Sequence, residues 1–223
     1  MTKRSATLFL LISLTTLSVF GQDKLSVSAT ITPLYTNTNY TSHYLFPDSD
    51  GQVVEPVLLA GNKGSLGYLA GITAYYNYAS QWSIATGLWF RYQAIRTERL
   101  ALAGEGASSV RYRSIRLPIL FNYRSSEHTL SPFYSFGPLI DIPLSARIVA
   151  SRAGESTQQL RLDSESGPVF NFMLGAGGIY QVNSQIALTG QPTVTYRLGR
   201  LGGARTNFRT FELGLQMQAI YTF

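Results

Sequence analysis

The segment from Phe211 to Phe223 alternates without a break. Phe211, Leu213, Leu215, Met217, Ala219, Tyr221 and Phe223 occupy the odd positions, and Glu212, Gly214, Gln216, Gln218, Ile220 and Thr222 the even ones. A two-residue period puts one set of side chains on each face of a β-strand, one face apolar and the other mostly polar. Strands of soluble sandwiches usually run shorter, about 5–6 residues. A strand that crosses a bilayer needs about 9–11 residues, with one face in lipid and the other in a polar interior. This pattern points to an outer-membrane β-barrel and constrains the fold more than any other feature of the chain.

Seven further segments alternate or run extended: 25–35, 66–78, 82–97, 110–124, 130–147, 167–180 and 186–197. With 208–223 they make eight. The connections alternate in length. Short turns lie at 79–81, 125–129 and 181–185, and longer loops at 36–65, 98–109, 148–166 and 198–207. Outer-membrane barrels have short periplasmic turns, long outer loops and an even strand count. The expected fold is all-β, an eight-stranded antiparallel up-and-down transmembrane β-barrel. Closure follows from hydrocarbon, in which every backbone amide must be paired and an open sheet edge cannot be. Pro118, Pro138, Pro143 and Pro192 fall inside these strands and each removes a ladder donor, so bulges or strand ends are expected there.

The first residues read as an export signal. Lys3 and Arg4 precede an apolar stretch, Leu8 to Phe20, and Val19-Phe20-Gly21 supplies the small residues for cleavage near Gly21. Thirteen residues fall short of the ~20 of a spanning helix. The expected organisation is a signal peptide at 1–21 and an outer-membrane barrel domain at 22–223, in a Gram-negative envelope. Removing Lys3 and Arg4 takes the cation count from 18 to 16 against 12 anions, a net +4. That modest, scattered charge gives no basis for nucleic-acid binding. There are no cysteines, so disulfides play no part in closure. Tyr and Phe together number 26, an enrichment suited to strands and interfacial belts.

The face opposite the apolar set defines the interior. Arg91, Arg116, Asp141, Arg197, Glu212 and Gln216 fall there, with Gln93, Asn122, Asn171, Gln191 and Gln218. Charges enclosed in a narrow barrel should pair, because an uncompensated buried charge is costly. Arg116 with Asp141 and Arg197 with Glu212 are the expected pairs, each on neighbouring strands. Side chains just fill an eight-strand interior, so a plugged, non-conducting lumen is expected. Outside, Arg96, Arg99, Arg111 and Arg113 flank the second outer loop, and Arg200, Arg205 and Arg209 the fourth. If the barrel brings these loops together, Arg96, Arg99, Arg111, Arg113 and Arg205 form a rim for lipopolysaccharide phosphates. The plainer alternative is a cationic rim without specificity.

Catalytic signals are weak. His43 stands beside Ser42 with Asp48 and Asp50 nearby, an arrangement in which a base activates a hydroxyl for acyl transfer. The spacing matches no motif, and a solvated loop histidine is the simpler reading. His128 falls in a turn. Asp48-Ser49-Asp50-Gly51 starts like a calcium loop, but its twelfth position is Leu59 where a Glu is needed, so it reads as a turn. Gly175-Ala176-Gly177-Gly178 and Leu201-Gly202-Gly203-Ala204 have no following helix and no phosphate-loop lysine. No cofactor or metal is expected.

Arg113-Ser114-Ile115-Arg116-Leu117-Pro118-Ile119-Leu120-Phe121-Asn122-Tyr123-Arg124 resembles the aliphatic-Pro-aliphatic strand of PorT-like outer-membrane β-barrel proteins. Pro132-Phe133-Tyr134-Ser135-Phe136-Gly137-Pro138 resembles the aromatic, Gly-Pro strand that follows it there, and the ending Phe20-Gly21-Gln22 resembles their signals. The resemblance implies an eight-stranded barrel in a Gram-negative outer membrane. It carries no catalytic residue across, and the family's namesake is associated with protein export. The expected function is therefore that of a non-enzymatic outer-membrane barrel, structural, adhesive or accessory to an envelope or secretion machine, with lipopolysaccharide and envelope proteins as partners. The alternatives are a lipid-modifying hydrolase or acyltransferase working through His43, and a small porin-like solute-binding barrel.

Overall fold

A computed structural model of the protein describes residues 24–45, 57–98, 106–152, 157–162, 167–200 and 208–223. The expected signal peptide lies outside them. Among these residues nine strands follow in chain order: β1 (Leu25–Leu45), β2 (Val57–Asn77), β3 (Trp82–Glu98), β4 (Gly106–Arg124), β5 (Leu130–Arg152), β6 (Gln158–Leu162), β7 (Val169–Gln181), β8 (Ile186–Arg200) and β9 (Phe208–Thr222). They form one antiparallel sheet in the order β4-β3-β2-β1-β9-β8-β7-β5-β6, with a further pairing of β4 with β5. That pairing makes eight of the strands a closed hydrogen-bonded ring. The seam between the ends of the chain runs from Ser26 opposite Thr222 to Tyr40 opposite Phe208.

The alternation read from the sequence becomes an inside and an outside. On β9 the even residues from Thr210 to Ile220 are buried, apart from the partly covered Gly214, and the odd ones are exposed. Leu66 and Ile72 are 73% and 63% exposed, whereas Arg116 and Gln216 are each 2% exposed. A water-soluble domain buries its large aliphatic residues and exposes its arginines. Here a two-residue period sends the polar set inward on the ring strands.

The strands run further than the alternation announced. The first long loop, expected at 36–65, is largely strand: β1 continues to Leu45 and β2 begins at Val57, with a bulge between Tyr40 and His43. The reason is chemical. In Asn37-Thr38-Asn39 both faces are polar, so period-2 contrast vanishes while pairing continues. The third long loop contains the end of β5 and the whole of β6, five residues that, among the described residues, pair only with β5. Above Asp141, β5 leaves β7 and takes β6 as its neighbour.

The prolines behave differently from expectation. Only Pro143 sits at a register shift, opposite Ser114. Pro118, Pro138 and Pro192 lie in mid-strand, each paired with one neighbouring strand and with no shift of register there. Each antiparallel residue directs its N–H to a single neighbour, so a proline interrupts one ladder and leaves the other intact. Pairing lapses on the β3 side of Leu117 and Pro118 but persists from Pro118 to Leu139 on β5. Glycine supports the resulting curvature. Gly137 adopts φ +155° beside Pro138. A Cβ on Gly71 would come within 2.1 Å of the Leu88 carbonyl oxygen and 2.7 Å of the Trp89 ring.

Candidate functional site

The interior is layered. Nearest the short turns is a cavity of about 470 Å³ bordered by Ser26, Tyr75, Arg124, Phe133 and Thr222. Hydroxyls and amides close the next layer. Tyr75 Oη donates to Gln218 Oε1 at 2.7 Å, Trp89 Nε1 to Thr73 Oγ1 at 2.8 Å, and Gln191 Nε2 to Gln216 Oε1 at 2.8 Å. Threonine and glutamine suit this position because each supplies both donors and acceptors to a closed space.

The charged layer comes next. Arg116 meets both carboxylates: its Nη2 donates to Asp141 Oδ2 at 2.7 Å and its Nη1 to Glu212 Oε2 at 2.9 Å, with Nε on Asp141 Oδ1. Arg91 donates through Nη2 to Glu212 and to Gln93 Oε1, and Gln93 passes the chain on to Ser65. Asn171 donates to Asp141 Oδ2 at 3.1 Å. Arg116 and Asp141 sit opposite each other in the β4–β5 register. Glu212 was expected to pair with Arg197 on the adjoining strand. Its guanidinium partners in the structure are Arg91 and Arg116, which reach across the interior from β3 and β4. Sequence spacing identifies neighbours along the wall but not across it, and only ring closure brings these strands face to face.

Beyond the charged layer lies a cavity of about 170 Å³, bordered by Arg91, Ser114, Asp141, Arg197, Arg200 and Glu212. An apolar cap follows, in which Tyr40, Leu59, Ile95, Val110, Ile148 and Leu162 pack together inside the strand extensions. Sequence reading missed this cap. Ile95 and Val110 end strands read from the sequence, but Tyr40, Leu59, Ile148 and Leu162 belong to segments taken as loops. Charged, hydrogen-bonded and apolar layers together close the middle of the ring.

Outside, exposed aromatic residues mark two levels. Tyr76, Trp82, Tyr180 and Tyr221 lie toward the short turns, and Tyr35, Tyr68, Tyr196 and Phe211 toward the long loops. Tyr68 and Tyr76 are eight residues apart on β2, and Phe211 and Tyr221 ten apart on β9. At about 3.3 Å per residue and a tilt of 35–45°, the levels are roughly 20–25 Å apart. Ile72, Leu88, Leu174 and Leu215 occupy the apolar band between them. This matches the height of the lipid-facing band of an outer-membrane barrel.

The expected arginine rim is divided. Arg96, Arg111 and Arg113 come together on the outer surface of β3 and β4. Arg99 and Arg205 lie outside the described residues. Arg209, on β9, is separated from β3 by β1 and β2. Two arginines absent from the expected rim join the first group: Arg147 faces Arg111 across the β4–β5 ladder, and Arg161 faces Arg147 across β5–β6. No local signal for β6 was available, because it makes a single five-residue rung at an edge.

The weaker motifs find ordinary places. The backbone of His43 pairs with Leu59 in the β1–β2 ladder, so this residue is not in a loop; Asp48 and Asp50 lie outside the described residues. The His128 carbonyl accepts from Arg124 and Ser131 within a turn. Gly175 to Gly178 form part of β7, while 201–204 lie outside the described residues. Among the described residues, no group of three or more His, Cys, Asp and Glu side chains is placed to hold a metal.

No protein-family model matches the chain, and no curated protein matches it in sequence. Solved structures resemble it at low identity. Neisserial surface protein A is 12% identical over 89% of this chain and 97% of its own, with a TM-score of 0.43. The attachment invasion locus protein Ail of Yersinia pestis is 12% identical over 89% and 99%, with a TM-score of 0.37. The translocator domain of the autotransporter NalP from Neisseria meningitidis is 11% identical over 99% and 97%, with a TM-score of 0.36. At these identities and scores the likeness assigns no function, and the fold description rests on the strand pairing itself.

Proposed function

We propose that this chain is a non-enzymatic integral outer-membrane β-barrel protein that acts as a structural, adhesive or accessory component of the envelope. One observation carries the reading: a closed eight-strand ring has an apolar band between two aromatic levels on its outside and buried ion pairs of Arg91 and Arg116 with Asp141 and Glu212 within. Lipid is the solvent that makes this inversion stable. The strand extensions and their apolar cap then stand beyond the outer leaflet and present the loop end to other envelope components. The signal at 1–21 is removed near Gly21 on export. The likeness of β4 and β5 to PorT-like proteins supports the accessory role.

The test is to solubilise outer membranes gently and isolate the protein with its partners, then to reconstitute it in planar bilayers. The reading expects detergent-dependent extraction, a stoichiometric envelope partner or display on the cell surface, and no steps of conductance. Extraction by aqueous buffer alone would overturn the membrane assignment. Regular single-channel steps would overturn the plugged interior and favour a porin-like barrel.

A further inference from the structure

Three arginines on three successive strands share one line across the outer surface. Arg111 on β4 stands opposite Arg147 on β5, and Arg147 stands opposite Arg161 on β6. All three are exposed. Neighbouring strands are about 4.8 Å apart, so the row spans roughly 10 Å at the backbone. Directly opposed like charges weaken a sheet. Arg113 lies two residues along β4 on the same outward face, and Arg96 on β3 is diagonal to Arg111, because Arg111 pairs with Ala94. None of these five arginines has a carboxylate partner among the described residues. In the interior, by contrast, Arg91 and Arg116 are both held by acids.

The position of the group is as informative as its charge. Arg113 is one outward step above Ile115 and opposite Tyr92, which stacks on Tyr68 at the loop-side aromatic level. On β5, the exposed Leu144 and Ile142 lie just below Arg147. The guanidinium groups therefore sit a few ångströms above the apolar band, at the depth of lipid headgroups. Among the described residues β6 has a single strand neighbour, and it places Arg161 outward while Leu162 enters the apolar cap. The short strand thus extends the row by one cation.

We propose that Arg111, Arg147 and Arg161, flanked by Arg96 and Arg113, form a binding site for the phosphate groups of an outer-leaflet lipid headgroup. Guanidinium forks grip phosphate oxygens in pairs, and arginine suits this better than lysine. A row of three cations separated by strand spacing fits two phosphates better than one, which favours a bis-phosphorylated glycolipid over a phospholipid carrying a single phosphodiester. Bound phosphates also relieve the repulsion that the register imposes. The proposal rests on the membrane reading above, and its test separates the two.

The measurement is lipid binding by native mass spectrometry of the full chain in detergent micelles. Bis-phosphorylated lipid A, its monophosphorylated form and phosphatidylglycerol serve as probes. The double variant Arg147→Gln/Arg161→Gln is compared with Lys24→Gln/Arg209→Gln, which removes the same charge at exposed positions away from β4, β5 and β6. Wild type should bind bis-phosphorylated lipid A most tightly. The first variant should lose at least about tenfold in affinity, from the loss of two charge-assisted contacts, and the second should lose little. The same variant dependence with phosphatidylglycerol as the tighter ligand would keep the phosphate site and change its lipid. Equal losses in both variants, or none in either, would overturn the site. Heat-modifiable gel mobility of each variant reports the ring independently. A variant that keeps its compact band but binds like wild type refutes the site alone, whereas a wild type lacking that band refutes the membrane reading.

Discussion

Arg116 and Arg111 lie five residues apart on β4 and face opposite surroundings. Arg116 is buried and meets Asp141 and Glu212. Arg111 is exposed and faces another arginine. The difference shows what each environment demands. Inside the ring a buried cation loses most of its water, and the fold supplies carboxylates to Arg91 and Arg116. Outside, solvent or lipid phosphate can serve, and no carboxylate partner is supplied among the described residues. One strand therefore carries both a structural charge and a charge addressed outward, separated by an odd number of residues.

The interior side of this comparison should fail hardest. Arg116→Met leaves Asp141 without its guanidinium and Glu212 with one partner fewer. We expect a loss of about 3–5 kcal/mol, the cost of stranding a buried charge, read from the urea midpoint in detergent. A change under about 1 kcal/mol would show that water reaches this layer. A neutral interior bond is a milder probe. Tyr75→Phe removes the donor to Gln218 and should cost about 1 kcal/mol in the same measurement. The exterior should give least. Arg111→Gln and Arg161→Gln, in lipid-free detergent, should each lie within about 0.5 kcal/mol of wild type. A larger loss would mean that these side chains hold the sheet together. A gain would confirm repulsion along the row.

Much of this contrast was legible in the residues. Alternation gave the orientation of Arg91, Arg116, Asp141, Glu212 and Gln216 because period 2 is set by the strand alone. The Arg116–Asp141 contact follows from neighbouring strands. Arg91 with Glu212 does not, since β3 and β9 are joined only through the curvature of a closed ring. The extensions of β1, β2 and β5 were hidden for another reason. Above the lipid level the outer face is wet, so polar residues stand on both sides and the alternation that marks a membrane strand fades. Arg161 lay in that hidden part, and Arg147 ended the strand just before it. The prolines illustrate a third limit: their effect depends on which neighbour each N–H addresses, a property of register and not of composition.

The claim beneath all of this is that successive residues of a ring strand enter two different solvents. The chain has no cysteine, so single cysteines from 211 to 221 on β9 can each carry a spin label without interference. In lipid vesicles, collision with oxygen should peak at Leu213, Leu215, Met217 and Ala219. It should fall at Glu212, Gln216 and Gln218, giving a two-residue period across the segment. A flat profile, or peaks at the even positions, would contradict the account.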